Sequence, residues 1–492
     1  MKTHRLRSVL AATAALAVIA GCGASETPSD DATHAPTTIT DATTVRAALA
    51  DNVDVETGDT SEDAADAVDV TLSGDTASSE SDAVTAKDGT VTISAPGTYR
   101  LHGSLTGQVV VDSDAEGAVR LLLDGAAITS GTGAALHVAE ADSAVVVLAQ
   151  GSQNRLVDAT TYADTSDDAP TGALFSTADL TIGGTGSLTV EGRSNNGVVS
   201  EDGLVLAGGA ISVDAVDDGI IGEDYLVASG ADVGVTAVDD GLRSDNTEDP
   251  GAGFVLVEDG SVRVDSRDDA VKGVQVLVSG GSIDVAGSTE AVEGSVVIVD
   301  GGTLKLRSAD DAVNASSSGD EESTSEQGGG GSTEPDDSLR IVINGGTIDV
   351  WSSGDGIDSN GGLTVAGGTV TVHGPTSGAD GALDVDGDFE ISGGTLLATG
   401  SGAMMGAPST DSPQGWLAAA LDTTVGAGER VTITDANGDE VAAFTAAKDL
   451  TSVVYSSAQI TTGQTYTVTA AGRTTTATAG EAPAGGPGSA RH

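Results

Sequence analysis

"AVDDGIIGEDYLVASGADVGVTAVDDGL", residues 215–242, carries Asp-Asp-Gly twice, 22 residues apart, between stretches of alternating apolar residues. Like charges repel, so carboxylates paired at a fixed interval require a structural reason. The second acidic position of each unit, or its equivalent, falls at Asn196, Asp218, Asp240, Asp269, Glu290, Asp311, Asp355 and Asp380. The gaps are 22, 22, 29, 21, 21, 44 and 25. "SDNTEDPGAG" (244–253) lengthens one unit, and the low-complexity insertion "ASSSGDEESTSEQGGGGSTEPDDS" (315–338) lengthens another.

Glycine turns keep the same time. They end at Gly209, Gly230, Gly260, Gly281, Gly302, Gly346 and Gly368, and the next acidic position lies 9, 10, 9, 9, 9, 9 and 12 residues on. Each unit therefore reads strand, glycine turn, strand, acidic turn, short strand. "LVSGGSIDV" and "VINGGTIDV" show the period-2 alternation of strands. A unit of 21 or 22 residues cannot bury its own apolar face, but stacked units can, each strand bonding to its equivalent in the next at about 4.8 Å. The expected fold is all-β: a right-handed parallel β-helix over residues 66–400. A propeller blade needs about twice this length. Residues 401–475 are expected as a C-terminal β cap, with a hairpin turning at Asn437-Gly438, and residues 476–492 as a tail.

The chain begins with Lys2, Arg5 and Arg7, then about a dozen apolar residues, too short to span a bilayer comfortably. Ile19-Ala20-Gly21-Cys22 has the form of a lipobox, so residues 1–21 are expected as a lipoprotein signal peptide, with lipid on Cys22. Cys22 is the only cysteine, so no disulfide is possible within the chain. Residues 22–65, rich in Ala, Thr, Ser, Asp and Pro, are expected as a flexible tether, in which 44–49 could form a helical turn. The expected location is the extracellular face of the bacterial membrane, and the expected state a monomer. The net charge of −55 makes nucleic acid an improbable partner, because counterion release needs a basic surface.

Two unit charges about 4.8 Å apart repel by about 1 kcal/mol in water and about 3.5 at an effective dielectric near 20. Stacked Asp pairs can answer this by splaying into solvent, by protonation, or by holding a divalent cation. Calcium suits an all-oxygen, irregular ligand set, whereas zinc and copper would lack cysteine and histidine. The candidate ligands are Asp217, Asp218, Asp239, Asp240, Asp268, Asp269, Asp310 and Asp311, with Glu223, Asp224 and Asp245 completing spheres. Glu290 and Asp355 stand single and make weaker candidates.

Several stretches, in order, resemble the bacterial carbohydrate-binding β-helix family whose members bind calcium and acidic, pectin-like polysaccharide. They are "ADLTIGGTGSLTVEGRSNNGVVSEDGLVLAGGAISVDAVDDGI", "LRIVINGGTIDVWSSGDGIDSNGGLTVAGGTVTVHGPTSGADGALDVDGDFEISGGTL" and "TYTVTAAG". The resemblance covers about residues 85–470 and implies the β-helix, calcium at the Asp pairs named above, and carbohydrate binding without a demonstrated reaction. The chain departs from the pattern where "GSTEAVEG" (287–294) replaces an Asp-Asp-Gly turn.

With 2 Trp and 5 Tyr, ring stacking cannot be the main means of holding sugar. A uronate carboxylate completing the sphere of a protein-held ion could be. That gives an acidic polysaccharide as the partner, calcium as the cofactor, and no assigned catalytic residue. Two rivals stand beside it. A calcium-dependent lyase needs a Lys or Arg base, and Arg267 and Lys272 beside Asp268-Asp269 are the close candidates, though local charge balance is the plainer role. A structural adhesin would use calcium only to stiffen the rod. His102, His137 and His373 are scattered. Trp351 and Trp416 suit packing better than sugar contact, and so does Tyr225.

Overall fold

A computed structural model describes residues 41–166, 169–317, 335–378 and 380–483. The expected signal peptide, Cys22 and most of the 315–338 insertion lie outside the described residues. Apart from one short helix, the described elements are strands. They form a 24-stranded sheet, a 13-stranded sheet and a 4-stranded sheet.

The sequence period is the pairing period. On the 13-stranded sheet Val198 pairs with Ile220, Ile220 with Leu242, and Leu242 with Val271, all in parallel. In the large sheet Val276 pairs with Val297, Val297 with Ile341, and Ile341 with Leu363, so register is the same on either side of the insertion. Inward Val, Leu, Ile and Ala from both sheets form one extended core. Each buried Val or Leu stabilises this arrangement by about 1.5–3 kcal/mol relative to exposure.

The large sheet closes on itself. Val119–Thr129 pairs with Ala144–Leu148, then in turn come Leu180–Gly184, Gly203–Leu206 and Tyr225–Thr236. From Tyr225–Thr236 the pairing returns through Ala210–Ala215, Ser187–Gly192 and Gln153–Val157 to Val119–Thr129. This closure corrects the expectation of a right-handed parallel β-helix, an open solenoid of units with separate strands. The architecture is all-β with a closed ring of eight parallel strands, flattened so that its two sides follow the stacking direction, and many further strands extend it.

The corners differ in glycine content, although one glycine does not by itself keep a strand whole, since the strand also breaks at Gln150-Gly151. Asp124-Gly125 and Ser229-Gly230 put one glycine at the corner, and the strand runs through unbroken. Ser279-Gly280-Gly281 and Asn344-Gly345-Gly346 put two, and the strand breaks. At these double-glycine corners a Cβ on Gly280 would strike the carbonyl of Glu258, and one on Gly345 that of Asp300. The second glycine takes a positive φ, 65° at Gly281 and 82° at Gly346.

At the C-terminal end, Leu450–Ser456 pairs antiparallel with Thr395–Gly400 and with Trp416–Val425. The hairpin through Asn437-Gly438 joins Arg430–Thr434 to Glu440–Thr445 within the four-stranded antiparallel sheet. Trp416 is buried, its Nε1 donating to the Ser409 carbonyl at 3.2 Å, which is a packing role.

Residues 41–65, part of the expected tether, lie along the outer face of the large sheet. Thr44 caps the helix Val45–Asp51, accepting from the Ala47 N–H at 3.2 Å. Val45 and Ala48 are buried in a cluster with Tyr225, Phe254, Leu277 and Ile298. The segment is then held residue by residue: Val45 N–H to Asp300 at 3.0 Å, Asn52 to Gln275 at 2.9 Å, Glu56 N–H to the Tyr225 hydroxyl at 3.0 Å, and Gly58 N–H to Thr181 at 2.9 Å. Tyr225 is thus a clasp, its hydroxyl donating onward to Asp179 at 2.8 Å. Ala48→Asp places an unpaired carboxylate in this apolar cluster and is expected to cost about 2–3 kcal/mol of local stability. Limited proteolysis should then cleave within residues 41–66 before the sheets are touched; unchanged resistance would show that the contact is not a hold.

Candidate functional site

The second acid of each turn faces inward rather than splaying into solvent. Asp218, Asp240 and Asp269 are only 5%, 3% and 4% exposed. Asn196 Oδ1 accepts the Asp218 backbone N–H at 3.0 Å, Asp218 Oδ1 that of Asp240, and Asp240 Oδ1 that of Asp269, each again at 3.0 Å. Asp311 Oδ1 likewise accepts the Asp355 N–H at 2.5 Å, and Asp355 Oδ1 the Gly381 N–H at 2.6 Å. Where these bonds form, one side-chain oxygen pins the next unit, and each carboxylate has its other oxygen left for a second partner. Glu290 breaks the series with its longer side chain: Oε1 accepts from Asn314 Nδ2 at 3.2 Å, and Oε2 is buried without a partner.

Three residues after each rung from Asp218 to Asp355, and four after Asp380, a side chain stands on the neighbouring strand. In register these are Ile221, Arg243, Lys272, Glu293, Asn314, Asp358 and Asp384. The row changes sign along the molecule. Arg243 bonds Asp245 at 2.7 Å and reaches Asp218 at 3.4 Å and Asp240 at 4.0 Å. Lys272 bridges Asp269 and Glu293 at 3.1 Å each. Beyond Glu293 the row turns neutral and then acidic. Among the described residues no ion pair reaches Asp311, Asp355, Asp358 or Asp384.

Burial pushes these carboxyls upward, because the charged form loses water. Asp218 rises to about 6 and Asp240 to about 7, burial outweighing Arg243 and Lys272. In the coupled pair, burial and then Glu293 raise Asp269; Glu293 is held low despite burial by its bond to Asp269 and by Lys272. One proton is thus shared there, resting on Asp269. At the unbalanced end, burial and then neighbouring acids lift Asp358 to about 8; burial is also the main cause at Asp311, about 6, and at Asp355, about 7. Glu290 reaches about 8, through burial and then Glu293.

The structure gathers some of the sequence candidates and separates others. Carboxylate oxygens of Asp218, Asp239 and Asp240 lie within 4.8 Å of one another, and so do those of Asp269, Glu290 and Glu293. Asp217 is half-buried beside Asp239, burial and then that neighbour raising its pKa. Asp268 and Asp310 face outward at the turns. Asp245 is taken up by Arg243, Glu223 is exposed, and Asp224 sits at a different corner, bonded by Asn246 at 2.6 Å. Glu293, Asn314, Asp358, Asp384 and Arg243 were not candidates from sequence. Their signal was the position three residues after each rung, or four after Asp380, legible once the acids are aligned.

Two acidic groups thus already contain a protein cation, Arg243 in one and Lys272 in the other. The row that lacks one is Asp311, Asp355, Asp358 and Asp384, with Asn314 and Glu290 at its start beside the Lys272 group; among the described residues no three of these carboxylates lie within 4.8 Å of one another, as those of the other two groups do. It offers oxygen ligands only. Its orphaned buried atoms, Glu290 Oε2 and Asn314 Oδ1, fit a hard divalent cation such as calcium.

Residues 87–381, more than half the chain, match the family described as carbohydrate-binding domain-containing protein. The chain belongs to that family. A carbohydrate-binding domain-containing protein of Acetivibrio thermocellus is 42% identical over 197 residues, covering 39% of this chain and 69% of the relative. A solved structure of a polysaccharide lyase-like protein from C. thermocellum, a gadolinium derivative, is 30% identical with a TM-score of 0.43, covering 48% of this chain and 96% of that one. The matched region of this carbohydrate-binding domain protein contains the acidic rungs through Asp380.

Asp240→Ala removes the acceptor for the Asp269 N–H and should destabilise by about 1–3 kcal/mol, whereas Asp240→Asn keeps an oxygen there, as Asn196 does, and should be near neutral. Urea unfolding of the two variants checks this. A carboxyl with a raised folded pKa binds protons more tightly when folded, so its contribution is greatest below the unfolded value and is lost as pH climbs through the folded one. With Asp311, Asp355, Asp358 and Glu290 at about 6, 7, 8 and 8, the chelated protein should lose thermal stability between about pH 4 and 8. Asp355→Asn/Asp358→Asn should flatten that slope in a thermal melt series; an unaltered slope would assign it to charge elsewhere.

Proposed function

We propose that this protein binds acidic, uronate-containing polysaccharide at the cell surface, tethered by lipid on Cys22, through calcium held along the unbalanced acidic edge. The residues that would hold ions along this edge are Glu290, Asn314, Asp311, Asp355, Asp358 and Asp384, which belong to four successive units, so a single ion would draw on neighbouring units only. One observation carries the reading: the internal cations Arg243 and Lys272 stop where this stretch begins, leaving buried carboxyls with raised pKa values and no cationic partner. Family membership supports the carbohydrate. When bound, calcium supplies positive charge with open oxygen coordination, which a uronate carboxylate can enter. The protein's own part is to fix the ligands: Asp311 and Asp355 are held by the N–H bonds of the next rung, and Asn314 by Glu290.

The role proposed is binding rather than lyase catalysis. A lyase base needs a free lone pair, and the Lys272 ammonium is bridged between two carboxylates. Retention on immobilised polygalacturonate should fall at least about tenfold on adding chelator, and should be equally low in calcium for Asp355→Asn/Asp358→Asn. Equal retention with and without chelator would sink the ion bridge. Unsaturated product absorbing in the ultraviolet would restore the lyase reading.

A further inference from the structure

Four residues before Asp311 and before Asp355 lies the end of a strand of the large sheet. Arg307 precedes Asp311 and Trp351 precedes Asp355 in this way. Arg307, Trp351 and His373 are paired in register on adjacent strands, so they form one outward row beside that edge. The Trp351 and His373 ring centroids are 4.5 Å apart, and the Arg307 guanidinium lies 5.9 Å from the Trp351 ring, at the outer limit of a cation–π contact.

Two features make this row unlike the rest of the surface. The first is charge. The chain has 75 acids and 20 Lys and Arg, yet among the described residues neither Arg307 nor Lys305, two residues earlier on the same strand and in register with Asp284 and Asp349, enters an ion pair, and both are exposed; the one acid against the row is Asp349, 3.5 Å from His373 Nε2. The second is unmet hydrogen bonding. Seven buried side-chain polar atoms lack a partner among the described residues, and Trp351 Nε1, Ser352 Oγ and His373 Nδ1 are three of them. Glu290 Oε2 and Asn314 Oδ1, at the adjoining edge, are two more. Native structures leave few such atoms, and three of them fall on Trp351, Ser352 and His373, so the chain's own groups do not complete the hydrogen bonding behind this row. The C-terminal cap closes one side, Lys448 donating to the carbonyls of Ser352 at 2.7 Å and His373 at 3.3 Å.

We propose that Arg307, Trp351 and His373, with Lys305, form a glycan-binding platform that contacts the chain of an acidic polysaccharide directly. Trp351 supplies the apolar surface for the C–H face of a pyranose ring. Arg307 and Lys305 supply charge for a uronate carboxylate, for which a free guanidinium offers two parallel donors. The ligand class rests on the uronate reading above, but the contact does not pass through an ion. The platform adjoins the acidic edge in the same units, so one polymer can lie across both, and linking the two contacts raises retention beyond either alone.

Trp351 is half-exposed and Trp416 is 1% exposed, so a ligand-induced change in tryptophan emission reports Trp351. The full chain is titrated with trigalacturonate and with neutral trigalactose, in calcium and in chelator. A saturable emission change with trigalacturonate under both conditions is expected, with none from the neutral trimer. Arg307→Gln, an exposed substitution that leaves the fold intact, should weaken the affinity about tenfold. Trp351→Ala, with an unchanged circular dichroism spectrum, should abolish binding of the short ligand by calorimetry. Unchanged emission alongside normal calcium-dependent retention of polygalacturonate would overturn the platform and leave the ion-bridged edge standing. Loss of both would overturn both. Equal response to the neutral trimer, or full affinity in Arg307→Gln, would overturn recognition of the carboxylate.

Discussion

A carboxylate oxygen accepting the backbone N–H of the next unit's acid is the contact on which the rest of this molecule turns. It fixes the acidic corner of each unit directly over the one before, and parallel pairing on either side then has a single register to follow. The interaction needs only one oxygen and no charge, since Asn196 performs it at the start of the series. Charge is therefore surplus to the structural task, and its retention from Asp218 to Asp355 has to be explained by something other than folding. Part of the explanation is internal, in Arg243 and Lys272. The part that remains lies where no basic side chain follows.

Placing like charges in a stack has a cost that grows with burial. The chain meets it differently along its length: with a guanidinium at Asp218 and Asp240, with an ammonium and a shared proton at Asp269 and Glu293, and with no protein cation at Asp311 and Asp355. The same acidic motif thus serves as a salt-bridged support in one region and stands without a protein cation in another. The sign of a single position three residues on decides which.

Much of this was legible in the sequence, and the failures are specific. The spacing of Asp218, Asp240 and Asp269 gave the pairing register directly, even across the lengthened unit at 244–253. The Asp-Asp-Gly pairs were seen but weighted equally, although the second acid is buried and the first is not. That difference depends on side-chain direction through a turn, which a motif does not carry. Asp358 and Asp384 were missed because they are ordinary strand residues in sequence and become neighbours of Asp311 only through stacking. The closed ring was missed for a subtler reason. One glycine at Ser229-Gly230 and two at Ser279-Gly280-Gly281 look alike as turn signals, yet one lets the strand continue and the other breaks it. Residues 41–65 looked like a tether by composition; a few small apolar residues, Val45 and Ala48 chief among them, suffice to dock against a sheet face that is itself apolar.

That docked segment reverses the order in which the chain is made. Its residues emerge early in synthesis, while the groups that hold its first turns, Asp300, Arg340 and Asn344, lie 255 to 301 positions later. Contacts of such sequence separation carry a large loop-closure cost and form late. The apolar outer face of Phe254, Leu277 and Ile298 consequently stays uncovered while the units stack, and is sealed only after the unit containing Asn344 has been added. The segment is the first of the described residues to be made, yet its first turns have their partners only once the unit containing Asn344 has been made.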